Sequence, residues 1–289
     1  MLGAAWIANR AVLPALRAAR GCETLAIASR DPARARELAT RHGIRRVHAD
    51  YAALLGDPDI DAVYVPLPNS LHLPWTLRAL AAGKHVLCEK PLALDAAGAG
   101  EMALAAQQAG RLLMEAVMYR FHPRTRELVR SLRGAEIRHV SAAFGFPMAA
   151  PENYRMRLEL GGGALLDVGC YVADVARWLL GEPDRVRAIV RRKGVDMTWC
   201  VLLGFPSGAQ ASLFASFESP EHQELTVVCA DRVVRLEQPF TAWRDPEDPY
   251  QLMVEAFADA VRSGGPAPLP LESSIANLAL LDRIRAAAE

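Results

Sequence analysis

The first part of the chain alternates short apolar runs with longer segments of helical periodicity. The apolar runs, which predict buried strands, are Thr24–Ser29, Asp61–Pro66, His85–Glu89 and Leu112–Ala116. The segments that predict helices are Asn9–Arg20, Asp31–His42, Tyr51–Leu55, Leu71–Ala82 and Asp95–Ala109. Strands that alternate with helices are typical of βαβ units around a parallel sheet. The pattern therefore predicts one doubly wound α/β domain over residues 1–118.

The second part of the chain is richer in strands. After a predicted helix at Pro123–Leu132, the strand-like runs are Ile137–Phe146, Arg185–Arg192, Thr198–Phe205, Ala209–Phe217, Glu224–Cys229 and Asp231–Leu236. Because the turn signal Pro206-Ser207-Gly208 separates two of these runs, the strands are expected to be antiparallel. A helix at Ala164–Leu180, closed by Gly181, and two helices near the C-terminus complete a predicted α+β domain over residues 119–289.

Composition excludes several classes of partner. The chain has 289 residues, of which 52% are hydrophobic, which is enough for a sizeable core. Its 33 basic and 33 acidic residues balance, so no overall field favours nucleic acid or an anionic membrane. A small molecule is the expected partner. The seven histidines show no metal-ligand spacing, so no metal site is predicted.

The cysteines and the first residues bear on location. Five widely spaced cysteines without a Cys-x-x-Cys pair indicate reduced thiols in the cytoplasm. The sequence has neither a run long enough for a transmembrane helix nor the order of a secretory signal. Arg10, Arg17 and Arg20 precede the first acid, Glu23, as in mitochondrial transit peptides. Alanine and arginine are abundant throughout the chain, however, so we predict a cytoplasmic protein.

The chain opens on Met1-Leu2 and the pattern Gly3-x-Ala5-x-x-Ala8. The pattern is a relaxed form of the dinucleotide fingerprint, in which small residues let the backbone approach a pyrophosphate at a helix start. An alanine-rich helix start is the alternative interpretation. In a doubly wound sheet the strand before this turn is central, yet only two residues precede Gly3. We therefore predict that the natural start lies upstream and that Met1 is an internal strand residue.

The end of the second predicted strand bears on the cofactor. Ala28-Ser29-Arg30 stands there, with Arg34 one turn later. NAD-binding domains usually place an acid here against the ribose 2′-hydroxyl, whereas a hydroxyl and guanidinium groups suit a 2′-phosphate. The residues predict NADP, with NAD as the alternative cofactor. An ordinary surface turn is the interpretation without a functional role.

The strand at 85–89 ends on Glu89-Lys90-Pro91. A lysine at the carboxyl end of such a strand faces the crevice where open α/β sheets bind ligands, and the proline forces a turn after it. A solvated turn is the alternative. Asn69 and His72 follow the preceding strand, at the same predicted edge. Capping of the next helix by Asn69 or Ser70 would explain the asparagine without a functional role.

Three glycines, Gly161–Gly163, precede a predicted helix that carries Asp167 and Tyr171. Glycines permit the close approach of a ligand or of another backbone, and residues four apart share one helical face. A phenol beside an ammonium can donate or accept a proton near neutral pH, because the cation favours the phenolate. Helix packing is the alternative explanation of the pair.

Together these residues resemble the glucose-fructose oxidoreductase, inositol dehydrogenase and rhizopine-catabolism (Gfo/Idh/MocA) family over nearly the whole chain. The blocks that carry the resemblance are Gly3-x-Ala5-x-x-Ala8, Pro68-Asn69-x-x-His72, Ala82–Pro91 and Gly161–Tyr171. Tyr171 and the run Glu115–Pro123 are most similar to the branch with glucose-fructose oxidoreductase, dihydrodiol and xylose dehydrogenases and nucleotide-sugar 3-ketoreductases. That branch mostly uses NADP.

The resemblance implies a Rossmann doubly wound parallel sheet followed by an α+β domain with an open, mostly antiparallel sheet. It implies NADP-dependent hydride transfer at a sugar, cyclic polyol or sugar derivative, with Lys90 beside the nicotinamide and Tyr171 as the acid/base. Asp167 would orient the substrate or the helix start. Cofactor contacts are expected from Gly3, Ala5, Trp6, Ile7, Ala8, Ser29, Arg30, Arg34, Pro66, Pro68, Asn69, His72, Glu89 and Lys90. A homodimer or homotetramer through the open sheet is also implied.

Two other functions fit the same fold. One is lyase or glycosidase chemistry that uses the cofactor transiently, and the other is a non-catalytic regulator that senses a dinucleotide. A regulator would be expected to lose the lysine or the tyrosine, and this chain keeps both. Relatives often carry more chain between Leu236 and Tyr250, a difference that bears on the substrate pocket or the sheet edge. No motif identifies the sugar or the direction of hydride transfer.

Overall fold

The computed structural model describes residues 1–148, 150, 152–241, 244 and 246–288. The chain forms two compact units. The first unit comprises residues 1–93, 97–123 and 242–274, and the second comprises 94–96, 124–241 and 275–289. The chain thus returns to the first unit after residue 241, whereas the predicted division at residue 118 placed everything after it in one domain. That division stays a prediction.

The first unit consists of short parallel strands with helices between them. Its strands are β1 Ala26–Ala28, β2 Arg46–His48, β3 Ala62–Val65, β4 His85–Glu89 and β5 Leu113–Ala116. Its helices are α1 Leu13–Ala18, α2 Pro32–His42, α3 Tyr51–Leu55, α4 His72–Ala81, α5 Ala96–Ala109 and α8 Pro249–Ser263. The apolar pattern does not predict β2, because two of its three residues are exposed and the strand carries no apolar face.

Met1 and Leu2 lie between the two groups of parallel strands. β1 pairs with β2, and β3, β4 and β5 pair in that order. The amino group of Met1 donates to the carbonyl of Ala26 at 2.8 Å, and the amide of Leu2 donates to the carbonyl of Tyr64 at 2.9 Å. The first two residues therefore occupy the central position of a doubly wound sheet, as the sequence predicts.

A groove of about 790 Å³ starts at Met1 in the first unit. Apolar side chains that line it include Val12, Leu16, Leu25, Val63, Val254 and Phe257. Charged side chains, among them Glu23, Asp61 and Arg262, line it as well. The backbones of β1 and β3, to which Met1 and Leu2 bond, border the groove.

The second unit is built on one six-stranded sheet. The strands are β6 Ile137–Gly145, β7 Arg185–Lys193, β8 Val195–Gly204, β9 Gln210–Ser216, β10 His222–Cys229 and β11 Val233–Glu237. Their order is β11-β10-β6-β9-β8-β7. All neighbours are antiparallel except β6 and β9, which are parallel. The predicted fold class, a Rossmann parallel sheet followed by an α+β domain with a mostly antiparallel sheet, is confirmed.

One face of this sheet is covered and the other carries exposed side chains. The helices of this part of the chain are α6 Pro123–Ser131, α7 Cys170–Leu180 and α9 Leu271–Ala286. Helix α7 packs on β6 and β9, and the helical turn before it packs on β8 and β9. On the opposite face Ile189 and Leu202 are 67% and 62% exposed. The sheet is therefore open on one side.

Two predicted helices begin with a wide turn. The helix expected at Asn9–Arg20 has π-helical geometry over Ala8–Val12, and the helix expected at Ala164–Leu180 has it over Leu165–Gly169. A π-turn holds more residues than an α-turn, so spacing rules for an α-helix do not hold across it. The distinction matters below for Asp167 and Tyr171.

Among the residues that the structure describes, no helix is long and apolar enough to cross a membrane. Over the same residues, no three or more His, Cys, Asp or Glu side chains are arranged to hold a metal ion.

Candidate active site

The turn at Gly3 leads from the central strand position into the first helix. Gly3 has φ +109°, and a Cβ there would lie 2.9 Å from the side chain of Leu67. Its amide donates to the carbonyl of Ala28 at 2.7 Å, and helix begins at Trp6. Only glycine combines this conformation with this close approach. This helix start has no side-chain cap, and its predicted role in holding a phosphate stays a prediction.

The residues after β1 are arranged around the same turn. The Ser29 hydroxyl accepts a hydrogen bond from the amide of Asp31 at 3.2 Å, and Arg30 is exposed. The guanidinium of Arg34 donates to the carbonyl of Ala4 at 2.9 Å, which brings a positive charge against the Gly3 turn. Two arginines and a hydroxyl near a helix start fit the 2′-phosphate of NADP.

The nearest acid, Asp31, caps the next helix. Its Oδ1 accepts hydrogen bonds from the amides of Ala33 at 2.9 Å and Arg34 at 3.3 Å at the N-terminus of α2. The fit to a phosphorylated ribose therefore rests on Ser29, Arg30 and Arg34 rather than on Asp31.

The loop after β3 is linked to the loop after β4 by His72. The ring nitrogens of His72 lie 2.7 Å from the carbonyl of Pro91 and 2.8 Å from the carbonyl of Leu67. Burial, together with the charge of Lys90, lowers the pKa of His72, and the hydrogen bonds to the two carbonyls oppose this shift. His72 is fully buried, and its predicted role as a cofactor contact stays a prediction.

The helix after β3 begins later than its sequence suggests. A 3₁₀ turn over Asn69–Leu71 precedes α4, which starts at His72, and the residues before the turn and before α4, Pro68 and Leu71, make no side-chain capping bond. Capping by Asn69 or Ser70 stays an alternative. Asn69 is buried and, like Pro66 and Pro68, follows the carboxyl end of β3.

Strand β4 ends on Glu89, and Lys90 follows it. The hydroxyl of Tyr64 donates to Glu89 Oε1 at 2.6 Å, and Glu89 Oε2 accepts from the amide of Lys90 at 3.3 Å. Burial and the neighbouring carboxylate of Glu89 raise the pKa of Tyr64 well above its ordinary value, so this phenol stays protonated and donates. Lys90 therefore starts from a fixed backbone position at the carboxyl edge of the sheet.

The predicted residues of the first unit form a connected series. Gly3 approaches Leu67, Arg34 bonds Ala4, and His72 lies between Leu67 and Pro91. All of them follow the carboxyl ends of parallel strands, which is where open α/β sheets bind ligands. The structure thus brings the dinucleotide turn, the arginines and the Lys90 loop to one edge of this unit. Trp6 is 66% exposed at that edge, beside Arg10.

The glycine run of the second unit serves the protein's own packing. A Cβ on Gly162 would lie 2.4 Å from the carbonyl of Arg155, and a Cβ on Gly163, at φ +115°, would lie 2.0 Å from Asp196. The Asp196 carboxylate accepts from the amide of Leu165 at 2.7 Å and from the indole of Trp199 at 2.6 Å. The sequence predicts that these glycines allow the close approach of either a ligand or another part of the chain. The structure shows the approach of other parts of the chain.

Asp167 forms an ion pair that the sequence does not predict. Arg155 Nε lies 2.7 Å from Asp167 Oδ2, and Asp167 is buried. Burial by itself lowers the pKa of Arg155, but the carboxylate of Asp167 and smaller contributions from Tyr154 and Tyr171 more than offset this, so the pKa is raised. Arg155 lies in an irregular segment without a recognisable motif, so no sequence signal identifies it.

Tyr171 lies against an aromatic cluster. Its ring centroid is 5.6 Å from that of Phe144 and 5.5 Å from that of Phe240, and these two phenylalanines stack on each other at 5.5 Å. Residues 165–169 form a π-turn rather than an α-turn, and the expectation that Asp167 and Tyr171 share one helical face stays a prediction. What surrounds Tyr171 in this unit is an aromatic wall, which fits the apolar face of a sugar ring.

Family models match most of the chain. Residues 1–117 match the description "Oxidoreductase family, NAD-binding Rossmann fold", and residues 122–235 match the GFO/IDH/MocA C-terminal domain. The chain is 39% identical to D-xylose 1-dehydrogenase (NADP(+)) 2 of Haloferax volcanii, covering 100% of this chain and 96% of that protein. It is 35% identical to dTDP-3,4-didehydro-2,6-dideoxy-alpha-D-glucose 3-reductase of Actinomadura kijaniata, covering 100% and 94%.

Solved structures show the same architecture. A 3-ketoreductase from Actinomadura kijaniata, in complex with NADP and TDP-benzene, superposes with a TM-score of 0.87 at 33% identity, covering 100% of this chain and 96% of that one. An aldose-aldose oxidoreductase from Caulobacter crescentus, complexed with glycerol, also gives a TM-score of 0.87, at 27% identity over 99% of this chain and 95% of that one.

Proposed function

The chain belongs to the Gfo/Idh/MocA family of oxidoreductases, and from this premise we propose that it is an NADP-dependent dehydrogenase or reductase. Its substrate is a sugar, a cyclic polyol or a sugar derivative, and hydride passes between the nicotinamide and a carbinol or carbonyl carbon. The observation that carries the proposal is the anchored Lys90 at the same sheet edge as the Gly3 turn. The relatives named above act on sugars or sugar nucleotides by their names.

NADP is proposed over NAD on the basis of the residues after β1. Ser29, Arg30 and Arg34 would hold the 2′-phosphate, and the helix start after Gly3 would receive the pyrophosphate. The Oδ1 atom of Asp31 accepts hydrogen bonds from amides at the N-terminus of α2. When bound, the cofactor supplies the nicotinamide that accepts or donates hydride. One relative carries NADP(+) in its name, and one was solved with NADP.

Lys90 and Tyr171 are proposed as the catalytic residues. The ammonium of Lys90 would stabilise negative charge on the reacting oxygen, and the hydroxyl of Tyr171 would move its proton. Asp167 would act as a positioning residue, because its carboxylate is bonded to Arg155. Phe144, on which the buried Phe240 stacks, would hold the apolar face of the ring beside Tyr171.

The other residues proposed for the cofactor site fall into two groups, those that would contact the cofactor and those that hold the loops around it. Gly3, Ala5, Trp6, Ile7 and Ala8 would approach through the backbone or the helix start, and Pro66, Pro68 and Asn69 would line the loop after β3. Glu89 and His72 bond protein groups with the atoms described above. These two are proposed to shape the cofactor site through the loops that they hold.

Self-association and location are also proposed. The open face of the six-stranded sheet, with Ile189 and Leu202 exposed, would mediate a homodimer or homotetramer. Over the described residues the five cysteines form no disulfide, and three of them are buried, which fits a reducing cytoplasm. The regulator and the lyase or glycosidase alternatives are favoured by no observation on this chain.

A substrate panel tests the proposed function. Aldoses, inositols, keto-sugars and nucleotide-linked keto-sugars are offered with NADP or NADPH, and turnover is followed by cofactor absorbance. Lys90→Met is expected to lower kcat by about a hundredfold or more, because one stabilising charge is lost while the apolar stem remains. Lys193→Met, at an exposed lysine of the second unit, is the matched control and should keep its activity. Near-normal turnover by Lys90→Met would remove Lys90 from the mechanism.

A further inference from the structure

The three residues that follow β4 are each held by a buried side chain. The bonds join Lys90 N to Glu89 Oε2 at 3.3 Å, Pro91 O to His72 Nδ1 at 2.7 Å, and Leu92 N to Glu115 Oε1 at 2.8 Å. The three anchoring residues are 8%, 0% and 5% exposed in that order. Burial of a carboxylate is costly unless it is bonded, so a pair of acids at this place needs a reason.

Glu115 is the most unusual of the three anchors. It lies in β5 between apolar neighbours, and all four residues of this strand are buried. In the sheet it is opposite Cys88 of β4, and from there its carboxylate reaches the amide of Leu92 beyond the end of β4. A leucine at this position would suit an ordinary buried strand better. The carboxylate therefore serves the loop rather than the strand.

His72 holds the other side of the loop. Its ring lies between the carbonyl of Pro91 and the carbonyl of Leu67, so it joins the loop after β4 to the loop after β3. Because the ring is fully buried, the distance between these two loops is fixed by a rigid aromatic side chain. Leu67 is also the residue that meets Gly3, which extends the connection to the dinucleotide turn.

We propose that Glu115 and His72 are positioning residues for Lys90, which set the direction of its ammonium by holding Leu92 and Pro91. The proposal rests on the proposed function, in which Lys90 acts on the reacting oxygen. The flexible stem of a lysine does not fix the position of its ammonium by itself. The region that the ammonium of Lys90 can reach therefore depends on the position of the Lys90 backbone. Misplacement of a reacting group by about 1 Å can cost on the order of a hundredfold in rate.

Two substitutions of Glu115 separate positioning from charge. Glu115→Gln keeps an oxygen that accepts from Leu92, and Glu115→Leu removes it while keeping the volume similar. We expect kcat of Glu115→Leu to fall by about ten- to a hundredfold, with the Kd of NADP changed less than about threefold. Glu115→Gln should stay within about threefold of the wild type. Glu101→Leu, at an exposed acid of α5, is the matched control.

A second readout does not depend on turnover. The chain has three lysines, Lys84, Lys90 and Lys193, so reductive methylation with ¹³C-formaldehyde gives a sparse NMR spectrum. The signal that disappears in Lys90→Met is the signal of Lys90. We expect this signal to shift or broaden in Glu115→Leu and to keep its position and pH titration in Glu115→Gln. His72→Leu should displace the same signal, because it releases Pro91.

These experiments test the positioning role of Glu115 and His72 separately from the proposed enzymatic function. If the wild type turns over no sugar, the proposed function fails, and the Lys90 signal still tests the positioning role. An unchanged Lys90 signal in Glu115→Leu, equal losses in Glu115→Gln and Glu115→Leu, or a loss confined to NADP binding would overturn the proposal. So would a failure of both Glu115→Leu and His72→Leu to fold, since the two side chains would then serve the fold itself.

Discussion

Arg155 changes the interpretation of its partner Asp167. A buried carboxylate without a partner would be a candidate acid or base, but the 2.7 Å contact with Arg155 accounts for its charge. The positive charge of Arg155 also interacts with Tyr171. At the scale of single residues, the second unit therefore presents a phenol with a cation and a carboxylate behind it, and an aromatic wall beside it.

The first residue-scale prediction concerns Tyr171. Tyr171→Phe should lower kcat strongly, by about a hundredfold, and leave the Kd of NADP nearly unchanged, because only the hydroxyl that moves the proton is lost. Stopped-flow turnover and cofactor titration measure the two quantities. Tyr154→Phe, beside the same Arg155 guanidinium, is the control and should keep its rate. A loss of NADP affinity at an unchanged rate would place Tyr171 on the cofactor side.

Cofactor choice gives the second prediction. Ser29→Asp with Arg30→Ala should shift preference from NADP toward NAD by at least about tenfold in the ratio of dissociation constants, because an anion replaces part of the phosphate grip. Arg36→Ala, at an exposed arginine further along α2, is the control. The assignment fails if the wild type binds NAD more tightly than NADP.

Two helices show how an element can carry a site. The π-turns at Ala8–Val12 and Leu165–Gly169 both follow glycine-containing segments, and both adjoin predicted site residues. A π-turn is retained at a cost to helix geometry and is frequent at functional sites. In the second unit the turn is held by Asp196, whose carboxylate bonds the amide of Leu165. The position of Tyr171 thus depends on Asp196 and on the glycine beside it.

The element-scale prediction uses two glycines with positive φ. Gly163→Ala should lower the free energy of unfolding by about 3 kcal/mol, because a Cβ at φ +115° would displace Asp196 from its bonds. Gly264→Ala is the matched control, since Gly264 is in the left-handed region at φ +64° with open space around its Cβ position, and it should cost only about 1 kcal/mol. Urea unfolding of both variants makes the comparison. Equal losses would mean that Asp196 moves aside freely.

At the scale of the whole molecule, the groove that starts at Met1 is bordered by β1 and β3 of the first unit. The Met1 amine donates to the carbonyl of Ala26, and the amide of Leu2 donates to the carbonyl of Tyr64. The even-numbered residues of β1 and β3 therefore direct their backbone N–H and C=O groups toward the space between the two strands. Continuing this register, an added residue before Met1 would bond Ala62 and Tyr64, and the one before it would bond Thr24 and Ala26. The prediction of an upstream start stays a prediction, and the groove itself can be tested.

The buried amine of Met1 makes the stability of the protein depend on pH. Burial lowers the pKa of the Met1 amine from 8.0 to about 5. Between these values the unfolded chain binds a proton that the folded chain does not, so this group makes stability rise with pH from about 5 to 8. Over the full window the effect is on the order of 4 kcal/mol. Added residues would turn the amine into an amide and remove this contribution.

We therefore predict that four valine and isoleucine residues added before Met1 raise the free energy of unfolding by more than about 1 kcal/mol at pH 8, through burial of apolar surface in the groove. At pH 5 the increase in the free energy of unfolding should be larger, because the extension also removes the destabilisation by the buried Met1 amine. Four glycine and serine residues at the same place are the control and should give the pH effect with a smaller gain at pH 8. Urea unfolding at the two pH values measures both terms. Equal gains for the two extensions would show that the groove does not take up a strand.

Local signals in the sequence were sufficient for the architecture and for the local features of the candidate site in the first unit. Apolar runs that alternate with helical periodicity predict the parallel sheet, because burial on both faces demands them. A glycine at a tight turn, arginines after a strand and a lysine before a proline are local features whose chemistry is readable in place. They predict the Gly3 turn, the Ser29–Arg34 segment and the edge position of Lys90.

Only the tertiary structure decided which distant groups meet. Glu115 bonds Leu92 because β4 and β5 pair in the register that sets Cys88 opposite Glu115, and no periodicity encodes that register. Arg155 pairs with Asp167 across an irregular loop, and Phe240 stacks on Phe144 across the sheet of the second unit. The π-turns and the groove at Met1 likewise depend on packing around them. Composition and spacing fix what each residue can do, whereas partners far apart in sequence are selected by strand register and close packing.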